Sequence, residues 1–107
     1  MSASEHLGQY FERGAERINA EGTFGLSCPG FHTVDAEIRD ISSLGLKGVS
    51  PEPLLIGSIV ELDIPGVGTV EAEVKWELGG QFGAMFTDPI DLRTCEWTAV
   101  RAKFAGH

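Results

Sequence analysis

Apolar and polar residues alternate in three stretches of this chain, as they do in strands with one buried face and one wet face. Val34, Ala36 and Ile38 alternate with Asp35, Glu37 and Arg39, and Val60, Leu62 and Ile64 alternate with Glu61 and Asp63. The longest run sets Val70, Ala72, Val74, Trp76 and Leu78 against Glu71, Glu73, Lys75 and Glu77. Its parity predicts Trp76 in the core. Gly79-Gly80 supplies a tight hairpin that needs positive φ, and the chain returns through Phe82, Ala84 and Phe86.

The flanking segments are less regular. Ile18 to Leu26 reads as a strand with a glycine-loosened middle, ending at the turn tripeptide Cys28-Pro29-Gly30. Leu44 to Val49 reads as a short strand closed by Pro51 and Pro53. Asp40 falls on the apolar parity yet is followed by Ile41, so the alternation breaks there and implies a strand end or a bulge. Ile90 to Phe104 reads as a helix, with Ile90, Trp97, Val100 and Phe104 on one face and Gly106 beyond its end. Ser4 to Arg17 has Leu7, Tyr10 and Phe11 at helical spacing, weakened by Gly8 and Gly14, and reads as a frayed arm. The economical assembly is an antiparallel barrel or curled sheet with a terminal helix over one opening or side. Residues 1–17 form a flexible arm and residues 18–107 the single domain.

Composition adds exclusions. A chain of 107 residues suits one core, and 42% hydrophobic with 22% charged residues is ordinary for a globular protein. No apolar run approaches the ~20 residues of a membrane span and no leader pattern opens the chain, so a cytoplasmic location is expected. A net charge of −8 argues against broad nucleic-acid or anionic-membrane surfaces, although local arginines still attract a small anion. Cys28 and Cys95 have no metal-ligand spacing and are expected as free thiols, with no metal and no cofactor. His6, His32 and His107 sit in no catalytic motif, and the paired carboxylates alternate outward, so no enzymatic activity is expected.

Two short stretches carry candidate chemistry. Arg13-Gly14-Ala15-Glu16-Arg17 sets two guanidinium groups four residues apart. Asp40-Ile41-Ser42-Ser43-Leu44-Gly45 gathers an acceptor, a hydroxyl and a glycine where a strand pattern ends. Arginine presents a planar fork that matches phosphate oxygens or a guanine edge, and it also stacks on a base. A carboxylate accepts from the guanine ring N–H and amine, a serine hydroxyl donates to phosphate, and glycine permits close approach. Each stretch alone reads as a solvated charge pair or a self-satisfied turn.

The ordered pair, Arg13-x-x-x-Arg17 and Asp40-x-Ser42-x-x-Gly45, resembles the motifs RxxxR and D/NxSxxG of the PilZ domains, bacterial receptors for cyclic di-GMP. Gly57, Val74, Trp76, Gly83 and Phe86 are similar to that family's downstream trail, so the resemblance covers roughly Arg13 to Phe86. It implies a six-stranded antiparallel β-barrel with a C-terminal α-helix, and an arginine arm that folds over the barrel to clamp the dinucleotide. On the matching positions, Arg13 and Arg17 would grip phosphate and guanine, Asp40 and Ser42 would hydrogen-bond the ligand, and Gly45 would allow its close approach. Such a receptor signals through an effector protein yet to be identified. The alternative is a nucleotide-independent adaptor of the same fold in motility or pilus assembly, with Met85, Leu54, Leu55 and Ile56 as candidates for its contact surface.

Overall fold

The computed structural model describes residues 16–28 and 32–104; the arm with Arg13, the Pro29-Gly30 corner and Gly106 lie outside the described residues. Seven strands follow in order: β1 Ile18–Asn19, β2 Thr23–Ser27, β3 Val34–Ile41, β4 Gly45–Val49, β5 Ile59–Ile64, β6 Gly68–Leu78 and β7 Gln81–Phe86. Among the described residues, a 3₁₀ turn at Leu92–Thr94 and one helix, α1 at Thr98–Phe104, follow the strands. All pairings are antiparallel, in the order β3-β2-β5-β6-β7-β4, and β4 pairs back onto β3 to close a six-stranded barrel. Closure leaves no long edge for unwanted pairing.

The extra strand β1 runs beside β3 in line with β2, so β1 and β2 together form the glycine-interrupted strand that the sequence implies. The interruption falls at Gly22, whose φ of 143° suits glycine. Its missing side chain also makes room for Trp97, because a Cβ there would stand 2.6 Å from two atoms of the indole. Trp97 Nε1 donates to the Thr23 carbonyl at 3.3 Å, and the ring meets Phe24 edge-on at 6.1 Å. The C-terminal segment therefore packs onto the joint between β1 and β2. Alternate residues of every long strand fill the interior, among them Phe24, Ile38, Leu62, Val74 and Phe82.

Two register shifts modify this alternation. On β3, Ile38 pairs Gly48 and the next pair is Asp40 with Lys47, so Arg39 is an inserted residue. On β6, Val74 pairs Ala84 and the next pair is Trp76 with Gly83, so Lys75 is inserted. Each bulge shifts the later side chains to the opposite face. Ile41 consequently points inward and is fully buried. Trp76 does not join the core as its parity predicts; it stands 39% exposed on the outer face, with Leu78 exposed beyond it.

A single helix from Ile90 to Phe104 is also corrected. Asp91 caps the 3₁₀ turn by accepting from the Arg93 amide at 3.0 Å, and Cys95 closes it through the Leu92 carbonyl. The chain then leaves helical geometry, because the Glu96 amide donates to the Pro65 carbonyl at the β5–β6 turn. That detour buries both Cys95 and Trp97, which one straight helix starting at Ile90 does not do. Val100 is buried under α1 and Phe104 lies at its exposed edge.

Two expectations follow. In urea denaturation, Trp97→Ala lowers stability by about 3–5 kcal/mol, whereas Trp76→Ala costs about 1 kcal/mol or less. The Asp91 carboxyl is lowered to about 2, first by the side-chain hydrogen bonds of Arg93 and then by its backbone amide. A depressed folded-state value means that the cap's contribution is complete above the ordinary carboxylate range and is lost as the pH falls toward about 2. Carboxyl-resolved NMR titration finds the Asp91 midpoint there, and Arg93→Ala moves it upward.

Candidate ligand-binding face

The bulge at Arg39 turns Asp40 onto the outer surface. Its carboxylate is nonetheless largely covered, because Arg17 lies across it: Nε donates to Oδ1 at 3.1 Å and Nη2 to the same oxygen at 2.6 Å. Lys47 approaches the second oxygen at 3.8 Å from β4. Asp40 thus holds one cation from each side: Arg17, just before β1 where Asn19 is its register partner, and Lys47, its register partner on β4. The carboxylate thereby fixes the plane of the guanidinium fork.

The lateral row continues around the barrel. Asn19 pairs Asp40, Asp40 pairs Lys47, Lys47 pairs Gly83, and Gly83 pairs Trp76. Three strand spacings separate Asp40 from Trp76, about 14 Å. The indole of Trp76 lies across Gly83, and a Cβ at that glycine would run into its five-membered ring. Gly83 therefore lets an aromatic face lie flat on the sheet in line with Arg17, Asp40 and Lys47. The inserted residues Arg39 and Lys75 are both exposed, so each bulge adds a cation beside this row. Lys75 also pairs with Glu73 at 3.3 Å.

Ser42 and Gly45 lie behind the row in the β3–β4 turn. The Ser42 hydroxyl is 1% exposed; it accepts from the amides of Leu44 at 3.1 Å and Gly45 at 3.3 Å and donates toward the Gly45 carbonyl at 3.4 Å. This is a serine turn that satisfies its own backbone. Gly45 faces β7, where a Cβ would collide with the Ala84 carbonyl. Both residues hold the hairpin that aligns Asp40 with Lys47. Their spacing is equally readable as a turn or as a ligand motif.

Glu16, the acidic neighbour of Arg17, accepts an ion pair from Lys103 of α1 at 2.7 Å. The root of the arm is therefore linked to the sheet through Arg17 and to the helix through Glu16. Arg13 lies outside the described residues. Sequence reasoning did not assign Lys47 to this face, and for Trp76, which the family resemblance allows to touch a base, its parity favoured the core. For Trp76 no sequence signal marks the bulge, because Lys75 sits at its regular polar parity and the register shift depends on partners on β7; Lys47 had only its outward parity on a short strand.

Comparison with family models matches the PilZ domain over residues 11–100. The chain belongs to the PilZ domain family. Proteins of this family generally bind cyclic di-GMP and are typically non-catalytic receptors. No curated protein matches the chain in a sequence search. Among the described residues no cluster of metal-ligating side chains occurs, and no helix is long and apolar enough to cross a membrane. Both cysteines are free, and burial raises both thiols above their ordinary value, with Glu52 adding to the rise at Cys28.

The hairpin role has a direct consequence without any ligand. Ser42→Ala leaves two amide donors unmatched in a buried turn and lowers stability by about 1–3 kcal/mol. Gly45→Ala costs a similar amount, about 1–3 kcal/mol, through overpacking against β7. Urea midpoints of the two purified variants measure both effects.

Proposed function

We propose that this PilZ domain is a cytoplasmic receptor for cyclic di-GMP that passes the signal to an effector protein. The observation that carries the reading is the outer-face row of Arg17, Asp40, Lys47 and Trp76. A guanine nucleotide presents a flat base, a donor edge and anionic phosphates, and this row offers an indole face, a carboxylate acceptor and two cations. Trp76 stacks a base, since aromatic platforms hold bases through their π faces. Arg17 and Lys47 meet phosphate oxygens, the first through its fork and the second as a point charge. Asp40 receives the guanine N–H groups as Arg17 turns from it to the ligand. Ser42 and Gly45 serve the site by fixing the hairpin beneath it.

In this reading residues 1–17 are the arm, and Arg13 closes over the bound dinucleotide from the other side. The net charge of −8 does not oppose this, because Arg17, Arg39, Lys47 and Lys75 border the same face. Ordering of the arm also reaches the helix. When Arg17 changes partner, the Glu16–Lys103 link shifts with it and alters the surface formed by the arm root and α1. A ligand biases partner binding only through such a difference between two states.

Calorimetric titration with cyclic di-GMP tests the reading, with saturable heat as the expected result. Arg17→Ala weakens binding by about 1.5–3 kcal/mol, the range for a lost charged hydrogen bond, and Trp76→Ala by about 1–3 kcal/mol. Both variants keep their fold by circular dichroism. Absence of heat at high micromolar nucleotide defeats the receptor reading and leaves the nucleotide-independent adaptor.

A further inference from the structure

The opposite end of β3 from Asp40, about 20 Å away at strand rise, opens on a different feature. A cavity of about 490 Å³ lies between the ends of β2, β3 and β4 and the loop that leads into β5. Leu26, Val34, Leu54, Leu55 and Ile59 line it, with Cys28 on its wall. This volume falls in the range of pockets that accept a ligand or a large side chain. Burial and the nearby Glu52 raise the Cys28 thiol, which keeps that wall uncharged. Beside the cavity, Leu55 is 79% exposed, Ile56 66% and Ile59 40%. Single exposed apolar residues are commonplace, but three beside an apolar cavity form a patch of the kind that marks interaction sites.

The charges around this patch specify its occupant. Glu73 is the cross-strand partner of Ile59, and Glu61 lies directly opposite Glu71 on the same outward face. Directly opposed like charges destabilise a sheet pair, so this arrangement favours cations supplied from outside. Among the described residues only Lys75 offsets them, through Glu73, while Thr87 donates to Glu71 and His32 meets Glu52 at the rim. A second copy of the chain would bring two acidic rims together, and nucleic acid or an anionic membrane would be repelled.

We propose that the Leu55–Ile56–Ile59 patch and its cavity form a docking surface for a partner protein segment bearing an apolar anchor flanked by lysines or arginines. The anchor enters the cavity between Val34 and Leu54, and the basic residues lie along Glu61, Glu71 and Glu73. The proposal does not rest on the nucleotide reading: no residue of the Arg17–Trp76 row borders the cavity, and the acidic side meets the flank of that row at the Lys75–Glu73 pair.

The test uses the full chain without nucleotide and a short fluorescent peptide of leucines and lysines around one tryptophan. Two counterparts replace all leucines by serine or all lysines by glutamate. Fluorescence anisotropy is expected to show saturable one-to-one binding of the leucine–lysine peptide, weakened by salt, and at least about tenfold weaker binding of both counterparts. Leu55→Ser with Ile56→Ser, both in an exposed loop, weakens the first peptide by about tenfold or more, as does Glu71→Lys with Glu73→Lys. A control with the same charge change elsewhere, Glu21→Lys with Glu96→Lys, leaves its affinity within about twofold.

Unsaturable binding, equal binding of the serine peptide, or an equal loss in the control pair overturns the proposal. So does a self-associated dimer in sedimentation that Leu55→Ser dissolves, because a second copy would then own the surface. Nucleotide titration of the Leu55→Ser with Ile56→Ser variant separates the two readings: loss of peptide binding with unchanged cyclic di-GMP heat fails neither, and each fails on its own probe.

Discussion

Strict alternation along a strand is the constraint on which the outer-face row of Arg17, Asp40, Lys47 and Trp76 depends, and the two bulges release it at two points. Were Arg39 paired in regular register instead of bulged, Asp40 would fall on the interior parity of Ile38 as a carboxylate in the apolar core. Were Lys75 paired in regular register, Trp76 would share the interior parity of Val74. Each insertion keeps the apolar half of its strand inside while turning the following polar or aromatic residue out. The two shifts lie on strands separated by β4 and β7, and the register of those strands brings the re-aimed side chains level with each other. A flat, continuous row of chemistry on the outside of a barrel is the product.

Charge is distributed with the same economy. The chain is acidic overall, yet Arg17, Arg39, Lys47 and Lys75 border one face while Glu61, Asp63, Glu71 and Glu73 occupy β5 and β6. The two regions meet where Lys75 pairs with Glu73 at 3.3 Å, and charges farther apart than a Debye length of about 10 Å barely sense each other, so the protein presents two electrostatic surfaces of opposite preference. Asp40 is the exception that organises the basic side: as an anion among cations, it holds Arg17 in place over the sheet. The pair is partly exposed, so its contribution to stability is small, of the order of 1 kcal/mol or less. Its importance is orientation.

Much of this architecture was legible in the sequence. Period-two patterning located β3, β5, β6 and β7, Gly79-Gly80 marked their tightest hairpin, and the interruption around Gly22 was visible as a loosened strand. Ordered motifs identified the family. What escaped was any effect that depends on a neighbour distant in the chain. The parity of Trp76 fails because of a bulge whose partner residues lie on β7, and the Ile90–Phe104 helix breaks because Glu96 finds the Pro65 carbonyl. The pairing of Arg17 with Asp40 joins the two motif stretches across 23 residues, which their order suggested but their spacing alone did not. Ser42 and Gly45 show the opposite ambiguity, since a turn former and a ligand contact share the same residue types.

Both tryptophans rest on glycines, and this ties distant positions into inheritable pairs. Trp97 covers Gly22 across 75 positions of sequence, and Trp76 covers Gly83 across seven. At Gly83 the cost of replacement is not fixed, since a side chain there is intolerable under an indole and harmless over an empty sheet, whereas Gly22 carries in addition the backbone cost of its φ of 143°. Substitutions at these sites are therefore non-additive, and drift through sequence space has an order. The tryptophan must shrink before its glycine can grow, so a lineage that loses the aromatic platform can then fill the floor beneath it, and the way back becomes closed by the residue that took its place.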